Sequence, residues 1–287
     1  MFLAVQQEIR QGWGVEIAYD RTWYGDFRVT DNLAVTPDDY DPFCVTGPSD
    51  PRLPRGGGYE ICGLYDIKPA KFGVRDDLVT LQKNFGDRSQ VFNGMRISID
   101  GRSANGSLIG GGLSFGRTWR KNCAIIDTPQ QELYCDSGPP LAKAIQFKLY
   151  GTYDLPWGIE TSATFRVLEG AVIDANLSYS NAQIAPSLGR DLAACGRLVG
   201  PACTAGVTVP LYAPGDTLFE PRVVVLDWRL SKIVRVGQVR LRGLVDFYNL
   251  LNTNAGLIVS GTYGSNWPRP TSTPPGRTVR IGAKVDW

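Results

Sequence analysis

Six cysteines are the residues of this chain best suited to covalent chemistry, and their spacing is local: Cys44 with Cys62, Cys123 with Cys135, and Cys195 with Cys203. None shows the Cys-x-x-Cys spacing of a zinc site, and the chain has no histidine to complete one. Each pair falls inside one inter-strand connection. That suits disulfides closing loops in an oxidising compartment; six separate thiols in a reducing one is the alternative. Closing a loop of about 15 residues is worth roughly 3 kcal/mol in the chain-entropy picture, enough to order a mobile excursion. Without histidine there is no Ser-His-Asp triad or Cys-His pair, and no carboxylate pair stands out from the many present. The expectation is a protein that is not an enzyme. Asp38, Asp39, Asp41 and Asp50 surround Cys44 and offer oxygen ligands to Ca²⁺, but lack EF-hand spacing; acidic loop residues are also ordinary solvated groups. Arg55-Gly56-Gly57-Gly58 and Gly110-Gly111-Gly112 lack the Walker or Rossmann context that cradles phosphate. The first reads as a loop turn, the second as a strand that bends or passes close to another body. No cofactor and no metal site is assigned.

The elements that must position these residues are strands. Gly (33) and Pro (19) are plentiful among 287 residues, which suits many strands joined by turns. Period-two alternation recurs along the chain. Val279, Ile281, Ala283 and Val285 share one face against Thr278, Arg280, Gly282, Lys284 and Asp286. Val239, Leu241, Val245 and Phe247 likewise oppose Arg240, Arg242, Asp246 and Tyr248, and Leu226, Trp228 and Leu230 oppose Asp227, Arg229 and Ser231. Nine strands are predicted, near 2–10, 14–28, 89–103, 107–120, 143–154, 158–170, 221–234, 238–251 and 277–287. Short connections (Gln11-Gly12-Trp13, Ala104-Asn105-Gly106, Leu155-Pro156-Trp157-Gly158, Val236-Gly237) alternate with long ones near 29–88, 121–142, 171–220 and 252–276.

No apolar run reaches the 18 or more residues of a transmembrane helix. An alternating strand of about 9–11 residues can still cross a bilayer. Short turns at one end and long loops at the other are the asymmetry of an outer-membrane β-barrel. A soluble β-sandwich also alternates. Against it stand strands of 12 or more residues where about 5–6 is usual, the density of Arg, Lys and Asp on one face, and aromatics at strand ends (Trp13, Trp23, Tyr24, Trp119, Tyr153, Trp157, Trp287) where interfacial girdles belong. The fold expectation is therefore an all-β, antiparallel outer-membrane barrel. Nine antiparallel strands cannot close without a parallel seam, and residues 1–5 carry no signal-peptide features. The chain is accordingly expected to be the C-terminal part of a larger barrel, with a self-contained barrel of eight or ten strands as the structural alternative. With the long loops outside, Trp287 falls at the periplasmic edge and resembles the C-terminal signal read by the barrel assembly machinery. Scattered charge and a net charge of +2 give no case for nucleic acid.

Several stretches resemble the Oar-like branch of the TonB-dependent receptors, whose long form carries a carboxypeptidase-regulatory-like domain. They are RGGGYEICGLYDIKPAKFG (55–73), NCAIIDTPQQELYC (122–135), TYDLPWGIETSATF (152–165), NAQIAPSLGRDLAA (181–194), VDFYNLLNTN (245–254), GSNWPRP (264–270) and PPGRTVRIGAKVDW (274–287). The resemblance implies a 22-stranded, plugged barrel in the outer membrane. It also implies energy supplied through TonB and uptake of a large nutrient or chelate; neither a plug nor a TonB box is identifiable in these residues. Tyr40, Phe43, Tyr59, Tyr65, Trp267 and Arg269 are the loop residues expected to meet an extracellular substrate, with Arg96, Lys148, Arg229, Arg240 and Arg242 below them in the lumen. Other functions weighed are adhesion by a small barrel and carbohydrate binding by a soluble sandwich.

Overall fold

Alternation tells each strand which side to bury, and the register decides whether neighbouring strands agree. In the computed structural model, which describes residues 1–104, 106–215 and 217–287, they agree over most of the sheet, with exceptions such as Arg166 opposite Val225 and Arg242 opposite Ile233. Nine long strands pair consecutively and antiparallel: β1 Phe2–Arg10, β2 Trp13–Tyr24, β3 Ser89–Arg102, β4 Leu108–Lys121, β5 Gln146–Leu155, β6 Ile159–Leu168, β7 Val223–Val236, β8 Val239–Tyr248 and β9 Thr278–Asp286. A two-residue strand, Asp136–Ser137, adds to the end of β4. β1 and β9 are not paired with each other, so the sheet is open.

Cross-strand partners keep like with like. Ile99 stands between Val15 and Gly111, and Gly111 leads on to Leu149. Phe165 stands between Leu149 and Leu226, and Val245 between Leu230 and Ile281. The opposite face carries Glu16, Arg96, Asp100, Lys148, Arg166, Asp227, Arg229, Arg240, Arg242, Asp246 and Arg280. The apolar face is uncovered: Ile109 is 45% exposed and Ile281 79%. Among the described residues no second sheet lies on it, which departs from the sandwich alternative. Aromatics mark both of its margins. Trp23 and Trp119 flank Val91 at the loop end, and Trp13 and Tyr153 lie at the short-turn end.

Strand ends shift from expectation by a few residues, for identifiable reasons. β5 begins at Gln146 because Leu141–Lys143 forms a 3₁₀ turn. β8 stops at Tyr248 because Asn249 and Asn252 both adopt positive φ, a conformation that Asn tolerates better than most residues. Gly12 and Gly237 take φ of 76° and 62° in their hairpins, as the short turns require. In the turn joining β3 to β4, Asn105 lies outside the described residues.

The long connections differ most from expectation. In place of open loops they form two-stranded ribbons, Arg28–Asn32 with Asp77–Leu81, Tyr40–Thr46 with Glu60–Ile67, Asn176–Ser180 with Gly206–Pro210, and Ile258–Ser260 with Arg269–Ser272. They also contain one α-helix, α1 Asn181–Leu188. Ser180 and Gln183 form its capping box, and Gly189 ends it in the left-handed conformation at φ 78°. No helix among the described residues is long and apolar enough to cross a membrane.

The hydrophobic core lies among these connections. Phe43, Val45, Ile61 and Leu64 from the first meet Tyr179, Ile184, Leu188, Val209 and Leu211 from the third and Trp267 from the fourth; Leu133 of the second packs against them. None of the core residues comes from the nine strands. The connections therefore make one cap with its own interior.

All three cysteine pairs are bonded as the spacing predicts, and no described cysteine is free. Cys195 and Cys203 are buried in the cap core. Replacing both by serine is expected to lower cap stability by roughly 2.5 kcal/mol, from loop entropy alone, at a sequence separation of 8 residues. Limited proteolysis should then cut within residues 195–203. Unchanged resistance would show the bond to be dispensable.

Candidate functional site

The ionic face of the sheet and the underside of the cap are where charged groups converge. Asp246 of β8 is 3% exposed at its side chain and sits between two guanidinium groups, Arg229 on β7 at 2.5 Å and Arg280 on β9 at 2.7 Å. Each arginine stands directly opposite it in the register. Tyr248 donates its hydroxyl to the same carboxylate at 3.3 Å. On the next strand pair, Arg166 meets Asp227 at 2.8 Å, and the other Asp227 oxygen accepts the Asn249 N–H at 2.9 Å. Opposite-charge pairs facing each other across strands stabilise the ladder that carries them.

Gly110 has a specific role here. It stands opposite both Asp100 and Tyr150, and a Cβ there would come within 2.3 Å of the Asp100 carboxylate and 2.7 Å of the Tyr150 hydroxyl. With no side chain in between, Tyr150 reaches over β4 and donates to Asp100 at 2.5 Å. Two shallow cavities of about 400 Å³ each share Tyr150 as a wall. One is floored by Asp227, Arg229 and Asp246, the other by Arg96, Lys148 and Arg166. A third cavity of about 500 Å³ lies where sheet meets cap, with Phe92, Arg120, Lys143, Glu169 and Phe219 in its lining. These surfaces offer hydroxyl, guanidinium and carboxylate groups to a polar solute. The serines and threonines there have no histidine beside them, and all six cysteines are bonded.

The cap is locked by charged clasps between connections distant in sequence. Arg190, just past α1, meets Asp66 at 2.5 Å and Asp41 at 2.9 Å. Asp50 receives Arg52 at 2.6 Å and the Tyr263 hydroxyl at 2.7 Å, and Arg52 donates onward to the Trp267 carbonyl. Buried Asn181 donates to Asp191 at 2.6 Å and accepts the Leu192 N–H at 2.8 Å.

The sequence-predicted contact residues are thus dispersed. Phe43 and Trp267, expected to face a substrate, are each 2% exposed and belong to the cap core, because four connections close over them. Tyr40 and Tyr65 are half-buried in one ribbon strand pair, and Tyr59 packs against the core. Arg269 is exposed, at the start of the second strand of the fourth connection's ribbon. Of the lumen set, Arg96, Lys148, Arg229, Arg240 and Arg242 all stand on the ionic face. Trp287 follows β9 and is exposed. The aspartates around Cys44 do not gather: Asp39 binds its own turn at Thr36, Asp41 holds Arg190, and Asp50 holds Arg52. The one group close enough to share a metal among the described residues is Cys44, Glu60 and Cys62, and its two sulfurs are already bonded to each other. Sequence reading missed Arg190 and Asn181. The Ser180–Gln183 capping box with Gly189 was the available signal for the helix that positions them.

Three cap carboxyls titrate below the usual carboxylate range. Hydrogen bonds from Arg52, then Tyr263, hold Asp50 down; Asn181, then the Gly200 N–H, lower Asp191; the Thr36 N–H lowers Asp39. A carboxyl lowered on folding adds stability while ionised and loses it as pH falls through its folded value. Cap stability is therefore expected to be level from about pH 7 to 5 and to fall progressively below about pH 5, where unfolded aspartate begins to protonate. Denaturant midpoints across this range check it, and Asp50→Asn should flatten part of the acid limb.

No protein-family model matches this chain, and no curated protein matches it.

Proposed function

We propose that this chain forms part of the wall and the surface cap of an outer-membrane β-barrel, of the TonB-dependent transporter type and its Oar-like branch. One observation carries the reading: nine consecutive antiparallel strands present a broad apolar face, broken toward its margins by Arg21, Asn93, Arg117 and Lys232 and covered by no other described element, opposite a face that carries most of the sheet's charge. In water, apolar patches beyond a few hundred Å² are rare on monomers. In hydrocarbon such a face is required, and strands of 9 to 14 residues suffice to cross. The ionic face then belongs to an aqueous or protein-filled interior, where Arg–Asp pairs stiffen the wall. The aromatic margins take the two interfaces, the short turns the periplasmic side, and the disulfide-tied cap the oxidising exterior.

Open strand edges are costly in lipid, so β1 and β9 require partner strands, and an all-antiparallel closure calls for an odd number of them. The Asp246-to-Asn252 motif acquires a physical role in this reading. Asp246 locks three strands together, while Asn249 and Asn252 tie the end of β8 to the residues before β9, Asn249 donating to the Pro275 carbonyl at 2.8 Å. Transport of a large nutrient or chelate beneath the cap, driven through TonB, is the function assigned.

Reconstitution into vesicles of brominated phospholipid tests the membrane part. The tryptophans on the apolar face (Trp13, Trp23, Trp119, Trp228) should be strongly quenched. A chain that purifies from the soluble fraction without detergent and is unquenched overturns the proposal. For the transport part, uptake by cells bearing the full-length protein should vanish on loss of TonB while surface binding of the nutrient persists; TonB-independent uptake would refute it.

A further inference from the structure

Over the middle of the ionic face most arginines are matched, although Lys148 stands opposite Arg166 with no carboxylate of its own among the described residues. Arg96 meets Glu16, Arg166 meets Asp227, and Arg229 and Arg280 meet Asp246, all within 2.8 Å. Toward the short-turn end of β7, β8 and β9 the matching stops. There Arg235 stands directly opposite Arg240, and Arg242 directly opposite Lys284. Like charges in directly opposite positions destabilise a sheet. Arg235 and Arg240 have no carboxylate within ion-pairing distance among the described residues, although Asp286 occupies the position across from Arg240 on β9. The Asp286 carboxylate turns instead to Lys284, at 3.0 Å, and Glu160 lies 3.7 Å from Arg242. Arg240 Nε is buried and bonded to nothing. A desolvated donor without an acceptor, inside a group of four cations facing two acids, is an unmet demand for negative charge.

The spacing specifies what would meet it. Arg235 and Arg240 form one level across the strands, Arg242 and Lys284 the next, two residues along β8. Levels two residues apart on a strand are separated by about 6.6 Å. Alternate side chains of an extended segment repeat at the same distance, whereas a single phosphate spans one level only. A lipid headgroup is disfavoured because the apolar rows of these same strands face the other way.

We infer that the Arg235–Arg240–Arg242–Lys284 patch is a docking surface for an acidic stretch of polypeptide, laid along β8 in extended form with carboxylates at alternate positions. The carboxylates would make charge-assisted hydrogen bonds to one level each, the first satisfying Arg240 Nε. This inference uses the ionic face alone and does not depend on the apolar face lying in lipid.

The test uses the full chain in detergent micelles and a fluorescent hexapeptide, Ser-Asp-Ser-Asp-Ser-Gly, with its Asn counterpart as control. Binding read by anisotropy should be seen for the Asp peptide, weaken with added salt, and be at least tenfold weaker in the Arg235→Gln/Arg240→Gln double variant. Lys148→Gln, a cation elsewhere on the same face, should leave it within about twofold. Without peptide, the double variant should denature at the same or higher urea concentration than the parent, because a repulsion has been removed; lost binding then is not lost folding. Equal affinity for the Asn peptide, an undiminished affinity in the double variant, or displacement of the peptide by inorganic phosphate or an anionic phospholipid at matched concentration overturns the inference. Absence of lipid quenching would sink the membrane proposal and leave this result standing.

Discussion

Ala163→Arg is expected to cost about 2–4 kcal/mol when the chain is folded in a phospholipid bilayer, and close to nothing if the same face meets water. Ala163 is exposed on the apolar face of β6, between Gly151 on β5 and Trp228 on β7. It lines an open apolar groove of about 500 Å³, so a long side chain can be accommodated without displacing a neighbour. The substitution keeps Cβ and extends it into open space, so it takes away no packing. The cost is therefore a reading of the medium: arginine at mid-depth in hydrocarbon must be desolvated, while arginine in water is not. Thr164→Arg is the paired control, one residue along on the ionic face beside Asp227, and should change stability by only a few tenths of a kcal/mol. Urea midpoints of vesicle-folded protein give both numbers. Equal, small effects at the two sites would remove the case for lipid on that face.

Leu64→Ala should destabilise the cap by about 3–5 kcal/mol and leave the sheet nearly untouched. Leu64 is fully buried, stands opposite Phe43 in its ribbon, and shares the cap core with Ile184 and Trp267. Truncating it loses the transfer energy of three carbons and opens a cavity in a small interior with little scope to collapse. Because no residue of the cap cluster lies in β1–β9, that loss reaches the strand ladder only through the connections and the margin around buried Val223 and Val225 of β7. Amide exchange should therefore accelerate in Tyr40–Thr46, Glu60–Ile67 and α1 while β3, β4 and β7 keep their protection. Uniform acceleration would mean that cap and sheet fold as one cooperative unit.

The nine strands were legible in the sequence because each alternates apolar and polar residues over 9 to 14 positions. Each strand announces its own faces without help from distant residues, and hairpin turns at Gly12 and Gly237 fix its neighbours. Disulfide partners were legible for a related reason, since each pair closes a short stretch of one connection. The cap was not. Its ribbon strands are 3 to 8 residues long, too short for a periodic signal, and its helix carries Pro186 in its interior. Aromatics such as Phe43 and Trp267 resemble exposed binding residues when their connection is considered alone; they are buried by segments far away in sequence, as the Tyr179 hydroxyl on the Thr46 carbonyl illustrates at a separation of 133 and the Trp267 indole on the Asp174 carbonyl at 93. Nor could the pairing of Arg229 with Asp246, or of Arg235 with Arg240, be read before the register was known.

Local periodicity thus determined the strand set, the sidedness of the sheet and the cysteine pairs, because those follow from interactions among near neighbours. Tertiary structure alone decided that the long connections share an interior and which charges on the ionic face find partners. Both depend on the three-dimensional meeting of segments whose individual sequences carry no record of one another.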